Sequence, residues 1–338
     1  MKTNILLRLL IIIFLLGFLV TSVQAEKKEI VKTFKNKTRV DISTVSGDCL
    51  VKIVKGNQIK VQLLYDYPED CFEPVFVESG STLELEEDFS GSCSGRSIWK
   101  LFVPEKTRIK FKSASGDFAA NGLRNSLYAS TASGDFELNN IEGDIEIKSA
   151  SGDLEASDIK GSLEVKTASG DLEVENISGS IDIRTASGDI DAQHISGDDI
   201  SIKGASSDIE VSDARGTLEI KTASGEIEAE DIFITGKSEF KTASGDVRIE
   251  LAQSCEHSLV ISSASGDAIL NYNGNPIVGY FELSAKEEDG TIEAPFKFDK
   301  EEIVVKYGQR YMKKSFTRKS QTPRIIIRTA SGKAALEE

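Results

Sequence analysis

The sequence predicts an all-β chain built as a β-solenoid, parallel β-helix-like, of 18-residue coils with two short strands and two turns each. Three observations carry this. The string Ala-Ser-Gly-Asp begins at Ala114, Ala132, Ala150, Ala168 and Ala186, which sets Gly116, Gly134, Gly152, Gly170 and Gly188 18 residues apart. A second set of turns, Ile141-Glu142-Gly143, Ile159-Lys160-Gly161, Ile177-Ser178-Gly179 and Ile195-Ser196-Gly197, falls half a period away. Between turns, apolar and charged residues alternate with period two, as half-buried strands require. From Ser162, Leu163 and Val165 alternate with Glu164 and Lys166; after Ala168-Ser169-Gly170, Leu172 and Val174 alternate with Glu173 and Glu175. The apolar parity changes across each turn, as it does when a chain rounds a corner with one face inward. A flat antiparallel meander would leave that face uncovered and juxtapose unlike half-units. A solenoid sets like beside like, about 4.8 Å apart.

From the N-terminus, residues 1–25 read as a secretory signal peptide. Lys2 and Arg8 precede the apolar run from Leu9 to Val20, and Val23-Gln24-Ala25 precedes the charged stretch from Glu26. Cleavage is expected after Ala25. The run is shorter than the roughly 20 residues a membrane span needs. No second run of that length follows, so the mature chain is expected to lack an integral span and to be exported to periplasm, cell surface or beyond. Residues 26–110 hold longer strands, Ile59–Tyr67 and Ile98–Val103, and the only Trp, Trp99; they are expected to form a β-rich N-terminal cap. Residues 111–271 form the solenoid, its series continuing more loosely through Ser207, Gly225, Gly245 and Gly266. Residues 272–338 lose the register and are expected to form a β-rich C-terminal cap with a basic segment, Lys313 to Lys319. Echoes of the repeat stand outside the array at Val45-Ser46-Gly47-Asp48 and Ala330-Ser331-Gly332-Lys333. Atypical ends are what a solenoid needs to protect its open edges.

The columns of the repeat differ in chemistry. Ile147, Val165, Ile183, Ile202, Ile220 and Phe240 are expected inward, and Ile141, Ile159, Ile177 and Ile195 at a corner. Ser149, Thr167, Thr185, Thr222 and Thr242 are placed to form hydroxyl ladders beside the turn. One outer face sets an acid column (Glu146, Glu164, Asp182, Glu219, Glu239) beside a basic column two residues on (Lys148, Lys166, Arg184, Lys203, Lys221, Lys241), which relieves the like-charge stacking of an in-register repeat. The other face is acidic throughout. With 55 acids, 40 bases and a net charge of −15, or −17 once Lys2 and Arg8 are removed, the chain repels phosphate and excludes nucleic acid as a partner. The only imidazoles are His194 and His257, too few for a His-based metal site or Ser-His-Asp chemistry. His194 holds the turn position also held by Asn140, Asp158, Asn176 and Asp213, and His257 sits with Cys255 in a longer connection.

Cys71 and Cys93 lie in polar loops on either side of the strand-like runs Val75–Val77 and Leu83–Leu85, which Ser79-Gly80-Ser81 joins. Up, turn and down returns both loops to one end, so a Cys71–Cys93 bridge is expected in a compartment where disulfides persist. The pairing of Cys49 and Cys255 stays open. The Thr-Ala-Ser-Gly-Asp repeats, the strand ending Trp99-Lys100-Leu101-Phe102-Val103-Pro104, and the closing Ile325-Ile326-Ile327-Arg328-Thr329-Ala330-Ser331-Gly332 together resemble one family. It is the bacterial β-strand-repeat family that carries an adhesin label, akin to the GIN-type autotransporter adhesin head. The resemblance covers most of residues 40–335 and implies a β-solenoid in the envelope or at the surface. It brings no catalytic residues, and the sequence departs from autotransporters in lacking the pattern of a C-terminal membrane barrel.

Three function classes follow. The first is a non-catalytic envelope or cell-surface module, adhesive or structural, whose partner is a surface glycan or a protein. The second is a β-helix-type carbohydrate-active enzyme, lyase or hydrolase. The third is a cation-binding periplasmic scaffold. No catalytic residue is nominated: a nucleophile elbow and a phosphate-binding loop are absent, and acids equivalent from rung to rung are the opposite of a tuned pair. The candidate cation face is Asp153, Glu155, Asp171, Glu173, Asp189 and Asp191. Stacking them crowds like charges within a Debye length of about 8 Å, which suits weak binding of Ca2+; no other cofactor and no dedicated metal centre are expected. Against this stands the reading that the Asp carboxylates cap backbone groups of the turns. Lys313, Lys314, Arg318 and Lys319 either touch acidic glycans or lipid headgroups or form a solvated loop.

Overall fold

Segments of period-two alternation become strands, and their pairing fixes the architecture. In the computed structural model, which describes residues 27–338, twenty-nine strands join in one continuous sheet and the described residues contain no helix. The signal peptide lies outside the described residues. The strand Leu163–Lys166 pairs in parallel with Ile181–Arg184, setting Leu163 beside Ile181 and Val165 beside Ile183. The strand Leu172–Ser178 pairs likewise with Ile190–Lys203, Leu172 beside Ile190. Residues one coil apart are therefore neighbours, and the fold is a β-solenoid. The column Ile147–Val165–Ile183–Ile202–Ile220–Phe240 runs unbroken through successive pairings and is buried along its length. One coil buries Leu163, Val165, Leu172, Val174 and Ile177, each worth about 1.5–3 kcal/mol of transfer free energy for the larger side chains. Phe, Tyr and Trp are absent between residues 137 and 232, so aliphatic side chains alone fill the central coils.

Two glycine columns let the coils approach. A Cβ added at Gly116, Gly134, Gly152, Gly170 or Gly188 would stand 1.9–2.3 Å from the carbonyl oxygen of the equivalent glycine one coil back. The half-period column behaves alike, with Gly161 against Gly143 and Gly179 against Gly161. Beside the half-period column the chain turns through a left-handed residue in six successive coils: Asn140, Asp158, Asn176, His194, Asp213 and Asp231, with φ from 48° to 56°. Asn, Asp and His are the non-glycine residues that tolerate this region best, so His194 is a turn residue. From Ser149 to Thr222 the hydroxyl column does not form the inter-coil ladder expected of it. A hydroxyl-to-hydroxyl bond between coils joins Thr44 to Ser113 at the first rung, and Thr242, Ser263 and Thr329 donate to the glycine carbonyl one coil back. Thr167, Thr185, Thr222 and Thr242 donate to the carbonyls of Ser169, Ser187, Ser224 and Ser244 in their own turns, and Ser149 accepts from the Gly152 N–H. Turn backbone two or three residues away lies nearer than the hydroxyl of the next rung.

One coil breaks the turn motif and repairs it. Where its neighbours read Thr-Ala-Ser-Gly, this one reads Gly204-Ala205-Ser206-Ser207. A Cβ at Gly204 would lie 2.6 Å from the Ser207 Cβ; the side chain lost at the first position is replaced by one at the fourth. The Ser207 Oγ is buried without a hydrogen-bond partner. The adjoining coil carries one extra residue, absorbed as a bulge between Gly197 and Asp199.

The stack extends past both expected boundaries, residues 111 and 271. Arg39–Ser43 pairs in parallel with Arg108–Lys112, and Asp48–Ile53 with Phe118–Asn121, so Val45-Ser46-Gly47-Asp48 is a genuine rung. Arg324–Arg328 pairs with Leu259–Ser262, and Gly332–Glu337 with Ala268–Asn271, so Ala330-Ser331-Gly332-Lys333 is another. The register does not dissolve after Gly266: an inserted segment interrupts the chain but not the stack. Each insertion also lays a further coil over the rung it interrupts. Thr82–Phe89 and Ser97–Val103 cover the first; Gly279–Lys286 and Gly290–Glu293 cover the last. Aromatic plugs then close the ends. Trp99, fully buried, packs on Phe76 at 5.6 Å; its indole N–H donates to Glu87, which also accepts from the Val45 N–H and ties cap to rung. At the other end Phe316 stacks on Phe281 at 4.9 Å and meets Phe296 and Phe298.

The exchanged turn gives a direct test. Gly204→Thr alone should lose about 1–3 kcal/mol through overpacking against Ser207. Gly204→Thr with Ser207→Gly restores the common motif and removes the unpartnered hydroxyl, so its thermal midpoint should equal or exceed that of the parent. Additive losses in the double variant would refute the compensation.

Candidate binding surfaces

The acidic face is an aspartate ladder laid on the backbone. The Asp153 N–H donates to Asp135 Oδ1, Asp171 N–H to Asp153, and Asp189 N–H to Asp171, each at 2.9 Å. The series starts at Asp48, passes through Asp117 and ends on the Glu226 N–H; it resumes from Asp246 to Asp267 and the Lys333 N–H. Each carboxylate thus caps the next coil rather than its own turn. Beside this ladder Glu155, Glu173 and Asp191 form a second column. The two columns bound an open groove of about 450 Å³ that the structure brings all six candidate cation residues to line. One oxygen of each Asp in the ladder is engaged by the backbone. Among the described residues no three His, Cys, Asp or Glu side chains converge to hold a metal ion.

The opposite outer face is charge-paired as the sequence indicates. Glu146 pairs with Lys148, Glu164 with Lys166 and Asp182 with Arg184 on the same strand. Where Ser201 replaces the acid, Lys203 reaches across one coil to Glu219 at 2.6 Å, which also pairs with Lys221. Hydrogen bonds from Lys203 and Lys221 hold the Glu219 carboxyl down to about 2.

This pairing fails toward the C-terminal end. The acid column passes from Glu239 to Val260 and Ile326, while the basic column reads Lys241, then Ser262, then Arg328. Lys221 takes Glu239 at 2.6 Å, and no described carboxylate lies within ion-pair distance of Lys241. The hairpin of Lys300–Lys306 and Gln309–Arg318 extends this sheet beyond the last coil and bounds a groove of about 600 Å³. Lys241, Lys306, Lys313 and Arg328 line it with Tyr311 and Tyr307, the latter wholly exposed at the tip. Its one lining carboxylate, Glu282, is 5 % exposed and meets Arg324, Lys313 and Arg328 at 2.8, 3.2 and 3.5 Å. Burial raises the Glu282 carboxyl, but hydrogen bonds from Arg324 and Lys313 outweigh it and leave it below the usual range.

The basic segment is therefore a strand up to Arg318, not a loop, and its side chains divide. Lys313 enters the groove; Lys314 pairs with Glu301 over the Phe298 ring, and Arg318 covers Phe296. Sequence reasoning missed Lys241, Lys306, Tyr307, Tyr311 and Arg328 as a group. The available signal was the loss of acid from the paired columns at Val260 and Ile326. Elsewhere Cys71 and Cys93 are joined, with S–S 1.97 Å. Cys49 and Cys255 are free buried thiols, both pushed up by burial, Cys255 to about 11. The Cys255 Sγ donates to the backbone carbonyl of His257, not to its imidazole.

The family model described as Toastrack DUF4097 matches residues 78–203 and 198–276. Among curated proteins none matches. Three crystal structures are similar. A candidate cell adhesion protein from Clostridium sporogenes is 13% identical, over 92% of this chain and 99% of that one, with TM-score 0.21. A candidate adhesin from Parabacteroides merdae is 11% identical, over 93% and 97%, with TM-score 0.27. A candidate adhesin from Bacteroides fragilis is 12% identical, over 92% and 98%, with TM-score 0.24. The fold assignment rests on the strand register and the family match.

Two tests follow from these surfaces. Asp171→Asn keeps the acceptor for the Asp189 N–H, whereas Asp171→Ala removes it; the Ala variant should be less stable by about 1 kcal/mol, and equal loss in both would assign the effect to charge. Glu219 has its carboxyl lowered from 4.5 to about 2, so its stabilisation is complete above about pH 4.5 and is lost as pH falls through about 2. Glu219→Gln should be less stable than the parent at pH 7, with the gap in thermal midpoint closing over that window. A gap independent of pH would rule out the ion pairs as its source.

Proposed function

We propose that this chain, which belongs to the Toastrack DUF4097 family, is an exported, non-catalytic binding module of the adhesin kind. The observation that carries the reading is rung-to-rung equivalence. Asp135, Asp153 and Asp171 make the same bond to the next coil, and the paired face repeats one ion pair. Such a surface offers many identical contacts in line, which suits avidity toward an extended partner. Hydrolysis by two carboxyls instead needs a pair set apart by environment. Export is supported by the Cys71–Cys93 bridge and by the N-terminal signal pattern. No helix of the described residues is long and apolar enough to cross a membrane.

A second reading, a β-helix-type carbohydrate lyase, draws on one observation: the C-terminal groove gathers Lys, Arg and Tyr side chains that do not repeat. Its single carboxylate, bound by cations, does not serve a two-carboxyl hydrolase.

The exported protein should begin at Glu26 by mass spectrometry, and it should be retained by at least one glycan or matrix protein in an immobilised panel without turning it over. Retention by none would sink the binding reading. Release of unsaturated sugar ends would move the assignment to the lyase.

A further inference from the structure

We infer that the C-terminal groove binds an acidic polysaccharide, its anionic groups carboxylate or sulfate. The inference rests on the binding-module reading and names its ligand class. The first ground is charge. The chain carries −15 overall, yet this groove presents Lys241, Lys306, Lys313 and Arg328 against one lining carboxylate, Glu282, with Glu302 meeting Lys313 at 3.6 Å from the neighbouring strand. Two of those cations, Lys241 and Lys306, have no described carboxylate at ion-pair distance, and both are exposed. The acidic ladder lies on the opposite outer face, and salt screens its repulsion beyond about 8 Å.

The second ground is shape. The lining comes from six strands side by side, from Ser238–Lys241 through Leu259–Ser262, Arg324–Arg328 and Gly279–Lys286 to the hairpin. At about 4.8 Å per strand the trough is about 24 Å long, too long for one small anion and suited to a chain. The third ground is the mixture of groups. Tyr307 and Tyr311 offer ring faces and phenol groups at one end, and the half-buried Ser262 and Ser284 offer hydroxyls on the floor. Sugar rings present apolar C–H faces, hydroxyls and, when acidic, anions, and this lining answers all three. A lipid headgroup would need apolar surface on the same face, and Val304 is the only aliphatic side chain larger than Ala in the lining. The exposed Ile303 and Val305 alternate with Val304 and Lys306 along the strand and so face away from the groove.

The test measures binding of the full exported chain to polygalacturonate, dextran sulfate, neutral dextran and poly-glutamate, at low and moderate salt. The expected result is salt-sensitive binding to one or both acidic glycans and none to dextran. Lys241→Glu with Lys306→Glu should weaken it about tenfold or more, and Tyr307→Ala, at an exposed tip, severalfold. Lys166→Glu, the same charge change on the paired ladder, should leave it unaltered. Thermal midpoints near that of the parent certify the fold, and Tyr307→Ala gives an independent reading should the double reversal misfold. Preference for carboxylate or sulfate identifies the anion. Equal binding to dextran, indifference to the groove variants, or equal loss in Lys166→Glu overturns the inference. So does tight binding of poly-glutamate that ignores Tyr307→Ala, which would make the partner an acidic protein. If the chain holds neutral glycans or proteins but neither acidic glycan, the inference fails while the binding reading stands; if it holds nothing, both fail.

Discussion

The close contact between turn glycines of successive coils governs the rest of the structure. With the carbonyl of one glycine only 1.9–2.4 Å from where the next would carry a Cβ, the coils stack at strand spacing through their turns as well as their strands. That contact keeps like residues in register at the corners, where parallel strands alone would let the chain drift. Register in turn decides which side chains meet: aliphatic on aliphatic inside, and outside, acid on acid wherever the repeat places one. The stack therefore has to solve an electrostatic problem that its own regularity creates.

It is solved in two ways. On one face, bases two residues from the acids neutralise each rung locally, and when Ser201 removes an acid the pairing shifts to the next coil at Glu219. On the other face no base stands in the two acid columns from Asp135 to Glu228; the first is Arg248, which pairs with Asp246 at 3.1 Å. There the backbone does the work, each Asp accepting an N–H from the coil above. A bond to a backbone donor is available in every rung without any matching side chain, which is why Asp recurs at that position while the neighbouring column varies between Glu and Asp.

Much of this is legible in the sequence. Parity switching across the turns located the inward column from Ile147 to Phe240, and the shared position of Asn140, Asp158 and His194 marked a turn residue, whose left-handed conformation the structure adds. The hydroxyl column misled because a threonine's reach to its own turn, set by local geometry, is invisible in a column of like letters. The ends misled for a different reason. Gly47 and Gly116 are neighbours in the stack but 69 residues apart in sequence, as are Gly266 and Gly332 at 66, and a search at fixed period cannot bridge insertions of that size. The C-terminal groove was hidden with them, since it forms only when the inserted hairpin is placed beside the coils it interrupts.

The order of the coils at the ends bears on how the protein carries load. A tether pulled from the N-terminus first peels Lys28–Lys35, which is bound along one side only, by Gln58–Tyr65. The peel then reaches Arg39–Ser43, held between Arg108–Lys112 and Thr82–Phe89, and must break two ladders at once. Tension on the last strand meets the same arrangement after two residues: Leu336 and Glu337 pair with Leu270 and Asn271 alone, but Ala334 and Ala335 lie between Ala268–Ile269 and Ile292–Glu293. An ordinary solenoid unravels coil by coil from its last turn. Here each terminal coil is locked beneath another, so force is passed into the body of the stack instead of unwinding it.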